Sequence, residues 1–321
     1  MRILIIQTAF TGDVILATPL IEQLGDINPK PVLDFLLRSG NENLLENNPK
    51  LNEVHSWNKK ENKIQNLFTV IKKVRRNKYD IVINLHRYAS SGLITLFSGA
   101  SQKRGFDKNP LSFCYSKKII HEIGNGKHEV ERNLELIADL VNGRFTPPKL
   151  YPSSGDLKAM ERFKAKPYIC IAPASVWFTK QFPPEKWVEF ILSSSAAVIC
   201  LLGAAADATV CEWIKSRSGD KVVVNLSGKL SFLESAALMK DAKMNYVNDS
   251  APLHIASAMN APVTAIFCST TPAFGFGPLS DKSKVVETLE QLSCKPCGLH
   301  GFKVCPQGHF KCALTIGVNT I

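Results

Sequence analysis

The sequence predicts an α/β protein made of two parallel-sheet domains, on three observations. Short apolar runs of strand length alternate with stretches of helical period. A segment dense in Pro, Gly and Ser breaks that alternation near mid-chain. Each half opens with a strand that leads into a polar loop. The 321 residues suffice for two domains of ordinary size, and 45% hydrophobic with 21% charged residues is the composition of a soluble globular protein.

Taken in order, "MRILII" carries the apolar run Ile3 to Ile6 of a buried parallel strand, with Thr8 to Gly12 as its turn. From Asp13 on, Val14, Ile15, Leu16, Leu20 and Ile21 recur at helical spacing, which puts Asp13 near a helix N-terminus. Two readings of Asp13 stand: a helix cap, or a carboxylate in the crevice where strand ends gather and ligands bind. "VLDFLL" (32–37) and "YDIVINL" (79–85) read as further strands, and "ERNLELIADLV" (131–141) closes the first half. "NGRFTPPKLYPSSGD" (142–156) reads as the linker, dividing the chain into 1–150 and 151–321. In the second half "YICIAP" (168–173), "AVICLLG" (197–203), "KVVVNL" (221–226), "MNYVND" (244–249) and "PVTAIF" (262–267) continue the βαβ rhythm. Two Rossmann-like domains facing a central cleft follow.

The net charge of +11 is uneven: residues 1–150 hold 22 Lys and Arg against 15 Asp and Glu, a net +7. "NKKENK" (58–63) and "KKVRRNK" (72–78) suit anionic lipid or phosphate, or are solvated helix faces. No aromatic-interleaved basic motif or zinc-finger spacing points to nucleic acid. The longest apolar run, "AAVICLLGAAA" (196–206), is too short to cross a bilayer, and "MRILII" lacks the features of a secretory signal. A cytoplasmic protein is therefore expected, and nine cysteines, five of them scattered in apolar surroundings, fit reduced thiols.

The second half holds the more specific loops. "APASVWFTKQFPPEKW" (172–187) presents Ser175, Thr179 and Lys180 at a strand's carboxyl end, hydroxyls and a point charge suited to phosphate oxygens, ahead of a helix starting near Glu185. "LLGAAADATVCEW" (201–213) places Asp207 where it caps a helix or accepts from ribose hydroxyls. In "VNDSAPLHIASAMNAPVTAIFCSTTP" (247–272), Asn248, Asp249 and Ser250 enter a turn before a helix starting around Pro252, whose N–H groups make a natural pyrophosphate site, with His254 close behind. No G-x-G-x-x-G follows the first strand, which disfavours a nicotinamide dehydrogenase.

Together "MRILIIQTAFTGDVILATPLI", "YDIVINLHR", "KRGFD", "HEVERNLEL", "TKQFPPEKW" and "NDSAPLHIASAMNAPVTAIFCSTTP" resemble the ADP-heptose:lipopolysaccharide heptosyltransferases, glycosyltransferases of the two-domain GT-B fold. The resemblance covers nearly the whole chain, with Ala251 where the family's late motif usually has Gly. It implies that Asp13 is the general base of an inverting transfer requiring no catalytic cofactor or metal. It implies that Lys180, with Ser175 or Thr179, neutralises the leaving ADP of the nucleotide-sugar donor. Ser250 and Ala251 then hold the pyrophosphate, Asp249 and His254 shape that turn, and Asp207 contacts the ribose. An anionic, lipid-linked glycan acceptor is expected on the first domain, at Thr11, Gly12, Lys59, Lys60 and Lys63, and more weakly at His86, Arg87 and Arg132. The same reading places the protein in peripheral contact with the inner face of the cytoplasmic membrane.

"CKPCGLHGFKVCPQGHFKC" (294–312) brings Cys294, Cys297, Cys305 and Cys312 into one segment with His300 and His309. A CxxC with two further cysteines fits a structural Zn site, and equally reduced thiols tied into a loop. Two other readings of function stand beside heptosyl transfer: a transferase using a different nucleotide sugar, and a non-catalytic nucleotide-sugar or glycan binding protein.

Overall fold

The computed structural model describes every residue except Asn142. Asn142 opens the expected linker, so that end of the linker lies outside the described residues. The chain divides into two compact units, Met1–Tyr151 and Pro152–Ile321.

The first unit is a six-stranded, all-parallel sheet of β1 (Arg2–Gln7), β2 (Val32–Arg38), β3 (Glu53–Trp57), β4 (Ile81–Asn84), β5 (Gln102–Phe106) and β6 (Lys117–Ile119), in the order β3-β2-β1-β4-β5-β6. Helices α1 (Thr11–Leu24), α2 (Lys63–Arg76), α3 (Ala89–Phe97) and α4 (Glu129–Glu135) complete it. Ile3 to Ile6 are wholly buried, because a central parallel strand is covered on both faces. The second unit repeats the plan with β7 (Tyr168–Ala172), β8 (Val198–Leu201), β9 (Val223–Asn225), β10 (Asn245–Asn248), β11 (Val263–Ile266) and β12 (Ser283–Val286), ordered β12-β11-β10-β7-β8-β9. Its helices are α5 (Ser154–Met160), α6 (Pro184–Ser193), α7 (Ala208–Ser216), α8 (Phe232–Lys240), α9 (Ala251–Ala258) and α10 (Lys311–Leu314). Its core packs Ile169 and Ile171 of β7, Phe182 of the following loop, and Trp187 and Ile191 of α6 against Ile199, Leu201, Cys211 and Ile214. Each such side chain contributes about 1.5–3 kcal/mol by leaving water.

In both sheets the order reverses beside the unit's first strand, between β1 and β4 and again between β7 and β10. At such a switch point the crossovers diverge and leave a crevice at the strands' carboxyl ends, where open α/β sheets bind ligands.

Helix α1 runs through Pro19, which lacks the N–H that the Ile15 carbonyl needs. Thr18 replaces it: its hydroxyl donates to Ile15 O at 2.7 Å and accepts from Lys149 N–H at 2.9 Å. Helix α4 ends at Glu135, although the apolar pattern of the segment runs on past it. Leu136, Ile137 and Leu140 instead donate to carbonyls three residues back, so tight turns carry the chain on.

Candidate active site

In the first unit the turn after β1 and the loop after β4 meet at the switch point. Asp13 is the third residue of α1, and its Oδ2 accepts the Phe10 N–H at 3.1 Å. It is thus a capping residue, and it also lies at the carboxyl end of β1. Desolvation, reinforced by the Glu129 carboxylate, raises its pKa to about 6 against the opposing pull of the Phe10 N–H and Arg87. Glu129 is held ionised by its neighbours: His121 Nε2 lies 3.1 Å from both carboxylate oxygens and Arg132 Nε donates at 2.8 Å. Arg132 is buried in that pair, away from the acceptor role expected of it.

Lys59 also departs from expectation. Its ammonium donates to Thr8 O at 2.7 Å and Thr8 Oγ1 at 2.9 Å and lies 4.6 Å from the Trp57 ring, so it pins the β1 turn. Burial, with the charges of Arg38 and Lys63, lowers its pKa to about 8. His86 Nδ1 lies 3.2 Å from the same hydroxyl, and burial beside Lys59 and Arg87 drives its pKa down to about 3, so its ring is neutral at physiological pH. Arg87, Lys60 and Lys63 are exposed, while Gly12 and Thr11 are half-buried, Thr11 donating to Asn41 Oδ1 at 2.9 Å. Thr8 and Glu129 also stand at this site, although no local pattern in the sequence marks either of them.

In the second unit the loops after β7, β10 and β11 converge. Lys180 Nζ pairs with Asp249 Oδ2 at 2.7 Å, both side chains mostly buried, and Thr270 Oγ1 donates to the same oxygen at 2.5 Å. Asn248 ties two of these loops, accepting from Phe182 N–H at 3.0 Å and donating to Pro173 O at 2.8 Å. A paired ammonium at this end of the sheet is a fixed positive charge for an anion. Ser175, in the same loop, is half-buried, with Gln181 Nε2 donating to its carbonyl at 2.6 Å. Ser250 precedes α9, which begins at Ala251 in right-handed helical backbone, so no Gly is needed there. His254 is buried in α9.

One expectation differs here, and at Asp207 the capping alternative is the one observed. Thr179 is buried, and its hydroxyl accepts from Phe302 N–H at 2.8 Å and Ser269 Oγ at 3.1 Å, so it holds protein rather than facing phosphate. Asp207 caps its helix, accepting Ala204 N–H at 2.8 Å. Thr270 and Ser269 are the hydroxyls that pattern reading passed over in "CSTTP".

For a metal, the cysteine segment does not present a closed set. Cys294 Sγ lies 3.8 Å from His309 Nε2, yet among the described residues the only trio whose ligand atoms lie within 4.8 Å of one another is Asp34, Glu53 and His55 in the first unit. Most of that trio's polar atoms already have protein partners: Asp34 accepts from Tyr79 OH at 2.6 Å and Asn52 at 2.9 Å, Glu53 pairs with Lys73 at 2.7 Å, and His55 Nε2 meets Tyr79 OH at 2.9 Å, while His55 Nδ1 lies 3.1 Å from Glu53 Oε1. It reads as a buried polar network at the amino ends of the strands.

Two Rossmann-like units, each with charged groups at its switch point, are the architecture of the GT-B fold. The glycosyltransferase family 9 (heptosyltransferase) profile matches residues 67–301, and the chain belongs to that family. It is 29% identical over 286 residues to lipopolysaccharide heptosyltransferase 3 of Escherichia coli K12, covering 83% of this chain and 82% of that one. It is 23% identical over 326 residues to lipooligosaccharide heptosyltransferase 2 of Haemophilus ducreyi, covering 90% and 89%. Among solved structures, E. coli ADP-heptose lps heptosyltransferase II superposes with a TM-score of 0.78 at 21% identity, covering 97% of both chains. A family 9 glycosyltransferase from Veillonella parvula gives 0.80 at 21% identity, covering 90% of this chain and 86% of that one. No helix among the described residues is long and apolar enough to cross a membrane.

Proposed function

We propose that this glycosyltransferase moves a heptose from ADP-heptose to an inner-core lipopolysaccharide acceptor, with inversion at the anomeric carbon. Asp13 carries the reading: a carboxylate at the end of β1 whose pKa of about 6 leaves it ionised yet basic at neutral pH, as a general base requires. Asp13 takes the proton of the acceptor hydroxyl as that oxygen bonds to the anomeric carbon, and the bond to the departing phosphate oxygen breaks with its electron pair on ADP. Lys180 neutralises the growing charge on that phosphate, helped by Ser175 and the N-terminus of α9 at Ser250 and Ala251. Asp249 and Thr270 hold the lysine. The first unit receives the acceptor, whose acidic groups meet Lys60, Lys63 and Arg87, while Lys59 and His86 fix the turn that carries Asp13. The second unit receives the donor nucleotide. The names of the relatives support the donor and acceptor classes.

Incubating the protein with ADP-heptose and heptose-deficient lipopolysaccharide tests this. Transfer with inverted anomeric configuration, abolished in Asp13→Asn while ADP binding by calorimetry persists, is the expected result. Preference for UDP, GDP or CDP over ADP overturns the donor assignment, and retained configuration overturns the role of Asp13.

A further inference from the structure

We infer that the loop from Lys295 to Phe302 is a strap that positions Lys180 for the donor's phosphates, with Gly301 as the residue that lets it seat. This rests on the donor reading of the second unit. The strap is stitched to both neighbouring loops. Lys295 Nζ donates to Phe267 O at 2.9 Å and Cys297 N–H to Ser269 O at 2.7 Å, which fixes it on the loop after β11. Phe302 then exchanges two bonds with Thr179: its N–H to the hydroxyl at 2.8 Å, and the Thr179 N–H to its carbonyl at 3.1 Å. Further on, the Phe310 ring packs on Phe178, centroids 4.8 Å apart. The β7 loop that carries Lys180 is thus held on its outer side by the strap and on its inner side by Asn248.

Gly301 is the tightest point. It is buried at φ +73°, and a Cβ built there lies 2.8 Å from Thr179 Oγ1, 3.0 Å from Lys180 Cγ and 3.3 Å from Ser269 Oγ. Bare backbone therefore forms the floor under the lysine stem. The ammonium beyond it must satisfy Asp249 at 2.7 Å, so small shifts of the stem move the charge relative to a phosphate. Gly308, in the same segment, supplies the control: it also has positive φ, +70°, but nothing lies within 4 Å of its Cβ position.

Gly301 and Thr179 are positioning residues, and the test reads binding of ADP and of adenosine by calorimetry. Gly301→Ala is expected to weaken ADP about tenfold while leaving adenosine within about twofold, because the damage lies at the phosphate end. Gly308→Ala is expected to change neither. Thr179→Val, which removes the Phe302 acceptor at equal volume, is expected to reproduce the selective loss and serves if Gly301→Ala fails to fold. Combined with Lys180→Met, Gly301→Ala is expected to add nothing further. Unchanged ADP affinity in Gly301→Ala and Thr179→Val, or equal loss of adenosine, overturns the strap alone. No nucleoside diphosphate binding by the unaltered protein overturns the donor reading and the strap together.

Discussion

Two influences on Asp13 oppose each other. As a capping residue it gains from accepting the Phe10 N–H, but the desolvated site beside Glu129 disfavours its charge. Its folded pKa, about 6, lies above the ordinary 3.8, so the native state holds its proton more tightly than the unfolded chain does. The ionised carboxylate therefore costs stability above pH 6, and that cost fades as pH falls towards 4. Asp13→Asn, which keeps an acceptor for Phe10, is expected to be about 1–2 kcal/mol more stable than the parent at pH 8 and no more stable at pH 4, read by urea denaturation at both pH values. Transfer by the parent enzyme is expected to fall about tenfold per unit below pH 6, where the base is protonated. A pH-rate profile flat down to 5 assigns the proton to another group.

At the level of elements, α1 shows how a helix is kept intact through an internal proline. Thr18 supplies the donor that Pro19 lacks and accepts the Lys149 N–H, so one hydroxyl serves two backbone groups, one buried and one part-buried. Thr18→Val, equal in shape, leaves both without a partner and is expected to cost about 2–3 kcal/mol in chemical denaturation. The strands legible in the sequence were the apolar ones: β1, β2, β4 and all of β7 to β11 were read from their hydrophobic runs. The four that escaped, "EVHSW", "QKRGF", "KKI" and "SKVV", are β3, β5, β6 and β12, short segments rich in charge. Three of them are sheet edges, where one flank stays wet and charge prevents further pairing, so the apolar signal is absent for a physical reason. The site was legible in the same uneven way. Asp13, Lys180 and Asp249 follow strands and stand out as charges after apolar runs. Glu129, Thr270, Gly301 and Phe302 act through tertiary neighbours 21 or more residues away, as Thr270 does on Asp249, and no local spacing encodes that.

Over the whole chain, charge is concentrated where no fold requirement explains it. Residues 58–78 hold eight Lys and Arg against one Glu, a net +7 that equals the total for residues 1–150, so the rest of that half is neutral. This segment includes α2, which buries Val74 and packs Leu67, Val70 and Ile71 on the core while leaving Ile64 72% and Phe68 60% exposed one turn apart. An apolar pair flanked by Lys60, Lys63 and Lys72 suits an anionic bilayer surface, where rings sit among headgroups and each nearby cation adds about 1 kcal/mol. The lipid-linked acceptor proposed above would put the enzyme's work at such a surface. Sedimentation with vesicles of phosphatidylglycerol and phosphatidylcholine is expected to show binding that disappears at about 0.5 M salt, where the Debye length shrinks to a few ångströms. Lys60→Glu with Lys63→Glu and Lys72→Glu is expected to weaken it about 100-fold or more, while Phe68→Ser lowers affinity without altering the salt slope. Binding to purely zwitterionic vesicles at equal strength, or to anionic ones undiminished by the triple reversal, removes α2 from the membrane contact and leaves its lysines to the soluble face of the acceptor alone.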